Sequence, residues 1–339
     1  MTHATAAVLH ACGKPLKIER LRIPALRKGQ VLVKVRSAGL CRSQLNEIKG
    51  LKGPDRYLPH TLGHEGSGTV ESTGPGVKKV RPGDHVVMTW IKASGLEGGP
   101  VDYRTDGGKI IHSGPVSTWM DRAVVSENRL VKISKRMPFP EAALLGCAAL
   151  TGAGIVFHTL RLRHKQSLAV FGAGGGVGLN VIAAARIAGA DPIIAVDVPG
   201  EKLKKALALG ATRAIDAVRS KEVQGVYAAV EVSGNKKAME AAFESVRENG
   251  GIAVIAGNLP AGQKISLDPF LLIKGKRIIG SWGGESGPDR DIPVIVKYFS
   301  RGRWDLGAMI AAEYPLEDIN QALAEFQNGS PGRVLILMK

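Results

Sequence analysis

Leu168-Ala169-Val170-Phe171-Gly172-Ala173-Gly174-Gly175-Gly176-Val177-Gly178 is the stretch that decides how this chain folds. Four apolar residues of strand texture run into a glycine-rich turn, and an amphipathic helical pattern opens at Val177. Glycine suits such a turn because the chain must bend sharply and admit a pyrophosphate against its backbone, after which the helix presents free N–H groups to the anion. The turn reads as Ala173-x-Gly175-x-x-Gly178 or as Gly172-x-x-Gly175-x-x-Gly178, and both keep Gly175 and Gly178, with Gly176 and Val177 between them. Asp197 stands 19 positions beyond Gly178, at the end of the next apolar segment. A carboxylate there accepts hydrogen bonds from the adenosine ribose hydroxyls and repels a 2′-phosphate. The expectation is a dinucleotide site that prefers NAD to NADP, with Lys202 and Lys204 close enough to soften that preference.

From Glu141 onward strand and helix patterns alternate: a helix over 141–160, a strand over 167–172, a helix over 177–188, a strand over 192–197 and a helix over 201–209. Further strands are expected over 227–232, 251–257 and 277–280, then helices near 291–301 and 316–328 and a last strand over 332–338. Such alternation builds a parallel sheet with right-handed crossovers, here a six-stranded, doubly wound one. Residues 1 to about 140 differ, with short period-two segments such as Gln30-Val31-Leu32-Val33-Lys34-Val35-Arg36 and the apolar run His85-Val86-Val87-Met88. The turns Gly74-Pro75-Gly76 and Arg81-Pro82-Gly83-Asp84 punctuate this part. The glycine-rich stretch 94–117 shows no clear period and is expected to be an excursion loop. The fold class is α/β, a β-rich part joined to a doubly wound part.

A chain of 339 residues, 44% hydrophobic, has the length and composition for two globular domains. It has no apolar run of the roughly 18 residues that span a bilayer, and Met1-Thr2-His3-Ala4-Thr5 lacks a basic segment leading into an apolar one. A cytoplasmic protein with no membrane partner is expected. Three cysteines cannot make a disulfide framework in so long a chain and suit a reducing compartment. The net charge of +16 is spread along the sequence with few aromatics interleaved, which argues against nucleic acid. The same charge draws in an anionic dinucleotide and a phosphorylated or carboxylated substrate.

Cys41, Gly63-His64-Glu65 and Cys147 precede the glycine turn. Two thiolates and an imidazole are a ligand set for catalytic zinc, which takes three protein ligands and keeps one position open. The three residues lie on separate predicted elements, so only a fold can bring them together, and a cysteine taken singly is equally at home in a core.

In this combination and order the chain resembles the zinc-containing alcohol dehydrogenases of the medium-chain dehydrogenase/reductase family. The resemblance covers essentially the whole chain and rests on Gly39-Leu40-Cys41-Arg42-Ser43, Gly63-His64-Glu65-Gly66-Ser67-Gly68, Val80-Arg81-Pro82-Gly83-Asp84-His85-Val86, Gly146-Cys147 with Thr151-Gly152, the glycine turn and Val196-Asp197. It implies a GroES-like β-rich catalytic domain made of residues 1–147 and 285–339, a Rossmann NAD-binding domain over 148–284, and a cleft between them for cofactor and substrate. It implies Cys41, His64 and Cys147 as ligands of one catalytic zinc, Glu65 as a reserve ligand behind them, and Ser43 as acceptor of the alcohol proton. Arg42 and Arg333 match positions that hold the pyrophosphate, and Thr151 one that touches the nicotinamide. Lys202 and Trp282 match cofactor-side positions, and Trp90 one in the substrate pocket. A homodimer or homotetramer acting on a small-molecule alcohol or carbonyl is expected.

The sequence departs from the family pattern at three places. Gln44 stands where an aspartate commonly orients the zinc-binding histidine, and Asn46 where some relatives have a relay histidine. The stretch Ser94-Gly95-Leu96-Glu97-Gly98-Gly99-Pro100 has none of the four cysteines that hold a structural zinc in many relatives, so no such zinc is expected. The leading reading is a zinc-dependent, NAD-linked dehydrogenase that interconverts an alcohol, polar, sugar-like or anionic, with its aldehyde or ketone. A zinc-free quinone or enoyl reductase of the same family shares the Gly172-x-x-Gly175-x-x-Gly178 spacing but typically lacks the Cys41, His64 and Cys147 set. A protein that keeps the fold and binds NAD without turnover is the third reading.

Overall fold

The computed structural model describes residues 2–339, which form two compact units. The second comprises Ala148–Ser286 and Val294–Asp305. Its six parallel strands lie in the order Arg213–Asp216, Ile193–Asp197, Leu168–Phe171, Ala228–Glu231, Ile252–Ile255, Arg277–Gly280. The strand order reverses between Leu168–Phe171 and Ala228–Glu231, which makes their carboxyl ends the switch point where a doubly wound sheet binds ligand. Phe171, Ile194, Val196 and Phe243 form the core of this unit on one face of the sheet. The strand Arg213–Asp216 lies outside the segments named from sequence, because only Ile215 is buried in it and an edge strand with one apolar contact shows no period.

The helix Gly176–Ala188 follows the glycine turn and ends at Gly189, which adopts the left-handed conformation of a helix stop. A side chain at position 178 would overlap the carbonyl of Gly172, so only glycine lets this helix start tight against the strand. The helix expected over 141–160 is broken: Phe139–Leu144 and Ala148–Gly154 are separate helices, and Cys147 sits in the gap.

The first unit comprises Met1–Cys147, Gly287–Pro293 and Leu306–Lys339. Strands His3–Leu9, Lys17–Arg22, Val101–Thr105, Ile110–Ser113 and His60–Thr61 close a barrel. A seven-stranded sheet adjoins it, in which Glu65–Thr73 and Arg333–Leu337 both pair with Gln30–Gly39. Residues 94–117 are therefore not a plain loop. They carry an antiparallel hairpin in which Val101, Tyr103, Ile111 and Ser113 alternate into the interior across the turn Asp106-Gly107-Gly108. Tyr103 is wholly buried, and its hydroxyl oxygen accepts the Val124 N–H at 2.8 Å. Strands of five and four residues are too short to display period two among so many glycines.

The start of that stretch, 94–100, is irregular, and carboxylates hold it. Glu127 is buried and accepts the N–H groups of Lys78 and Lys79 at 2.6 Å on one oxygen and of Leu96 at 2.7 Å on the other. Glu97 accepts the Ser126 hydroxyl at 2.8 Å. Among the described residues no helix is long and apolar enough to cross a membrane.

Burial alone would raise the Glu127 carboxyl, but the amides of Lys79, Leu96 and Lys78 hold it below the ordinary carboxylate range. A lowered acid stabilises the fold above its unfolded value of about 4.3 and loses that contribution as pH falls through the folded value. Glu127→Gln should lower stability at pH 7 by about 2 kcal/mol and flatten the acid limb of the stability curve. Unfolding followed against pH checks both, and a variant whose curve overlays that of the wild type would remove the clamp from the account.

Candidate active site

Three chain reversals in the first unit bring the sulfur and nitrogen donors together. Cys41 is the extended residue that starts the helix Arg42–Ile48, His64 precedes the strand Glu65–Thr73, and Cys147 ends the turn after Phe139–Leu144. Their ligand atoms all lie within 4.8 Å of one another, and His64 Nε2 is 3.3 Å from Cys147 Sγ. Zinc held tetrahedrally by sulfur and nitrogen sets its ligand atoms roughly 3.4–3.8 Å apart. The donor set and its spacing fit that ion.

The electrostatics suit a cation too. Cys41 is held well below the ordinary thiol range by a hydrogen bond from Cys147, against burial and with help from the positive charges of His64 and Arg333. Cys147, which gives that hydrogen bond and is buried, is pushed up. Burial would lower His64, yet the negative charge of Cys41 outweighs it and the imidazole is raised. Each of the three offers a lone pair to a cation once its proton leaves.

Glu65 is buried behind the ligands and pairs with Arg333, Oε1 to Nε at 3.0 Å. Arg333 also donates from Nη1 to the Leu40 carbonyl at 2.8 Å. Arg333, expected at the pyrophosphate, has a side chain 3% exposed and paired with Glu65 beside the cysteine cluster. The signal for this was a lone cation opening the apolar run Val334-Leu335-Ile336-Leu337. Glycine is required around the pair, because a side chain at Gly39 would meet the Glu65 carboxyl and one at Gly146 would overlap the Met88 carbonyl.

Other expected residues assemble here. The Ser43 hydroxyl lies 3.7 Å from Cys41 Sγ and points to it. The Trp90 ring stands edge-on to His64, centroids 6.3 Å apart. Gln44 is buried with Oε1 lacking a hydrogen-bond partner, and Asn46, two residues further along the helix, is buried too. Arg42 is exposed at the first residue of the helix.

The second unit holds the dinucleotide residues. Asp197 accepts the Gly174 N–H at 2.9 Å on one carboxylate oxygen and the Val198 N–H at 2.8 Å on the other. The Lys202 ammonium is 3.7 Å from the same carboxylate, and its Cβ fills the space a side chain at Gly174 would need. Gly175 caps the helix and Gly176, Val177 and Gly178 form its first turn. Thr151 is buried in Ala148–Gly154, whereas Trp282 is 79% exposed before the short turn Gly283–Glu285.

Residues 27–135 match the family description "Alcohol dehydrogenase GroES-like domain" and residues 176–300 match "Zinc-binding dehydrogenase". The chain is 30% identical to an S-(hydroxymethyl)glutathione dehydrogenase of Paracoccus denitrificans, over 98% of this chain and 99% of that one. The chain belongs to the zinc-containing alcohol dehydrogenases of the medium-chain dehydrogenase/reductase family. An Escherichia coli S-(hydroxymethyl)glutathione dehydrogenase is 32% identical over 98% of both chains. Among solved structures, an alcohol dehydrogenase zinc-binding domain protein from Burkholderia ambifaria superposes at TM-score 0.90 with 33% identity, covering 100% of this chain and 99% of that one. Benzyl alcohol dehydrogenase from Acinetobacter calcoaceticus superposes at 0.88 with 28% identity, covering 100% of both. This dehydrogenase is therefore an oxidoreductase acting on alcohols, of GroES-like and Rossmann architecture, whose family uses zinc and an NAD-type cofactor.

Removing one partner of a buried ion pair leaves the other charge uncompensated. In this dehydrogenase Glu65→Gln should cost about 3 kcal/mol, read as a fall in denaturant midpoint. Replacing both residues with Leu and Met should recover most of the loss. A Glu65→Gln protein as stable as the wild type would mean that Arg333 does not depend on it.

Proposed function

We propose that this dehydrogenase oxidises a polar or anionic alcohol to its aldehyde or ketone, with one zinc at Cys41, His64 and Cys147 and with NAD rather than NADP. The convergence of these three ligand atoms within 4.8 Å carries the reading. It also favours this reading over the zinc-free reductase, which has no use for such a set. Zinc bound there supplies a Lewis acid for the alcohol oxygen, and NAD+ a hydride acceptor, so that each turnover yields carbonyl product, NADH and one proton.

The chain's own groups position the reactants and move that proton. Ser43 Oγ, beside Cys41 Sγ, accepts the hydroxyl proton and passes it to solvent, since Asn46 does not titrate. Glu65 stays ionised against Arg333 and stands behind the ligands as a reserve donor. Trp90, edge-on to His64, bounds the space in which the substrate carbon sits. Gly175 to Gly178 receive the pyrophosphate together with Arg42, and Thr151 and Trp282 serve the nicotinamide side.

The preference for NAD rests on Asp197, which backbone N–H groups hold at the end of its strand as a fixed negative charge. Lys202, at 3.7 Å, offsets part of it. For the substrate, the net charge of +16 favours an anion. S-(hydroxymethyl)glutathione, named for the relatives and carrying carboxylates, belongs in the first panel with sugar alcohols and benzyl alcohol as a neutral aromatic control.

Cys41→Ala should lose the zinc of this centre and turnover together, measured as bound metal and NADH formation on one sample. Full turnover without that metal would overturn the mechanism. Asp197→Ala should shift the ratio of kcat/KM for NAD against NADP by at least about tenfold toward NADP; an unmoved ratio would mean another group selects the cofactor. On the panel, carboxylated alcohols should give the higher kcat/KM, and a higher value for benzyl alcohol would withdraw the anionic class.

A further inference from the structure

Outside the cysteine centre, a second group of donors converges in the first unit: Glu47, near the end of the helix Arg42–Ile48, Asp55 in the following loop, and His60 at the start of the strand His60–Thr61. Their side chains are largely withdrawn from solvent, His60 being 8% exposed, Asp55 11% and Glu47 29%. We propose that Glu47 Oε1, Asp55 Oδ2 and His60 Nε2 bind a second divalent transition-metal ion.

The tautomer of His60 is the first support. Its Nδ1 lies 2.9 Å from the Thr61 carbonyl oxygen, which can only accept, so the ring carries a proton there. A ring donating Nδ1–H to a backbone carbonyl while Nε2 faces outward is the arrangement that metal-ligating histidines adopt. Nε2 faces Asp55 Oδ2 at 2.8 Å and Glu47 Oε1 at 3.9 Å.

The carboxylates supply the second. Each spends one oxygen on a local donor and aims the other at the imidazole. Asp55 Oδ1 accepts the Tyr57 N–H at 2.9 Å, and Glu47 Oε2 accepts the Lys52 ammonium at 2.8 Å.

The three donor atoms lie within 4.8 Å of one another, a cluster that a cation can join. A second proton on the imidazole would bond Asp55 but not Glu47, which at 3.9 Å is beyond hydrogen-bond reach. An ion drawing the three donors in to about 2.1 Å would satisfy all of them. A concavity of about 340 Å³ lined by Glu47, Lys52, Asp55, Arg56 and Tyr57 gives water access to complete the coordination. One nitrogen and two carboxylate oxygens suit zinc, cobalt or manganese, and cadmium can stand in for them as a probe.

Such an ion would pin the 50–59 loop between the helix that begins at Cys41 and the strand that leads to His64. It uses no residue of the cysteine centre, so the proposal stands apart from the assigned reaction.

The test is direct on the whole protein. Exchanged with excess 113Cd2+ alone, the wild type should show two cadmium resonances, one in the thiolate range and one in the nitrogen and oxygen range. Asp55→Asn, which keeps size and shape, and His60→Gln should each abolish the second and leave the first. Zinc bound per chain should fall from two to one in either variant, or the weaker zinc equilibrium should loosen at least about tenfold. A wild-type spectrum with the thiolate resonance alone would overturn the proposal, leaving Asp55 and His60 as a proton-held pair. So would a second resonance that neither variant moves.

Discussion

The buried pair of Glu65 and Arg333 is the contact on which the centre depends. Glu65 follows His64 directly, and Arg333, 268 positions further along, also holds the Leu40 carbonyl one residue before Cys41. The third ligand reaches the same place because Gly146, next to Cys147, leaves no atoms where the backbone of Glu65 and the Met88 carbonyl pass. Ion pairs removed from water rarely repay their desolvation in stability. What this one supplies is position: the last strand of the chain is tied to the segments that carry the metal donors.

The glycine turn and its acid were legible in the sequence because everything that defines them is local: a strand, a bend, a helix start and a carboxylate one crossover later. The identity of the three metal donors was legible only as a combination, since no spacing rule links Cys41 to His64 or Cys147. The inward turn of Arg333 was not legible, as its partner lies in another strand. The hairpin 101–113 was hidden by its glycines, and Arg213–Asp216 by the lack of an apolar face. The break at Gly146 escaped the helical pattern because alanine and leucine on both sides of it favour helix.

Charge is distributed unevenly between the two halves of the assigned chemistry. The cysteine centre gathers two sulfur donors, a carboxylate and a guanidinium within the β-rich unit, so its local charge is nearly balanced before any ion arrives. The glycine turn offers backbone N–H groups and one acid, with lysines nearby, so recognition there relies on hydrogen-bond geometry as much as on field. A chain with a net charge of +16 thus keeps a buried carboxylate among the N–H groups of its glycine turn.

The loop 94–100 is kept in shape by Glu127 and Glu97, oxygen acceptors closing on backbone N–H groups, in a chain whose three cysteines could not have built a four-sulfur cluster. A carboxylate clamp is assembled at synthesis and needs no loading. Scarcity of metal, a chelator or an oxidant that attacks thiolates removes none of its bonds, so the shape of this loop depends on neither metal supply nor redox state.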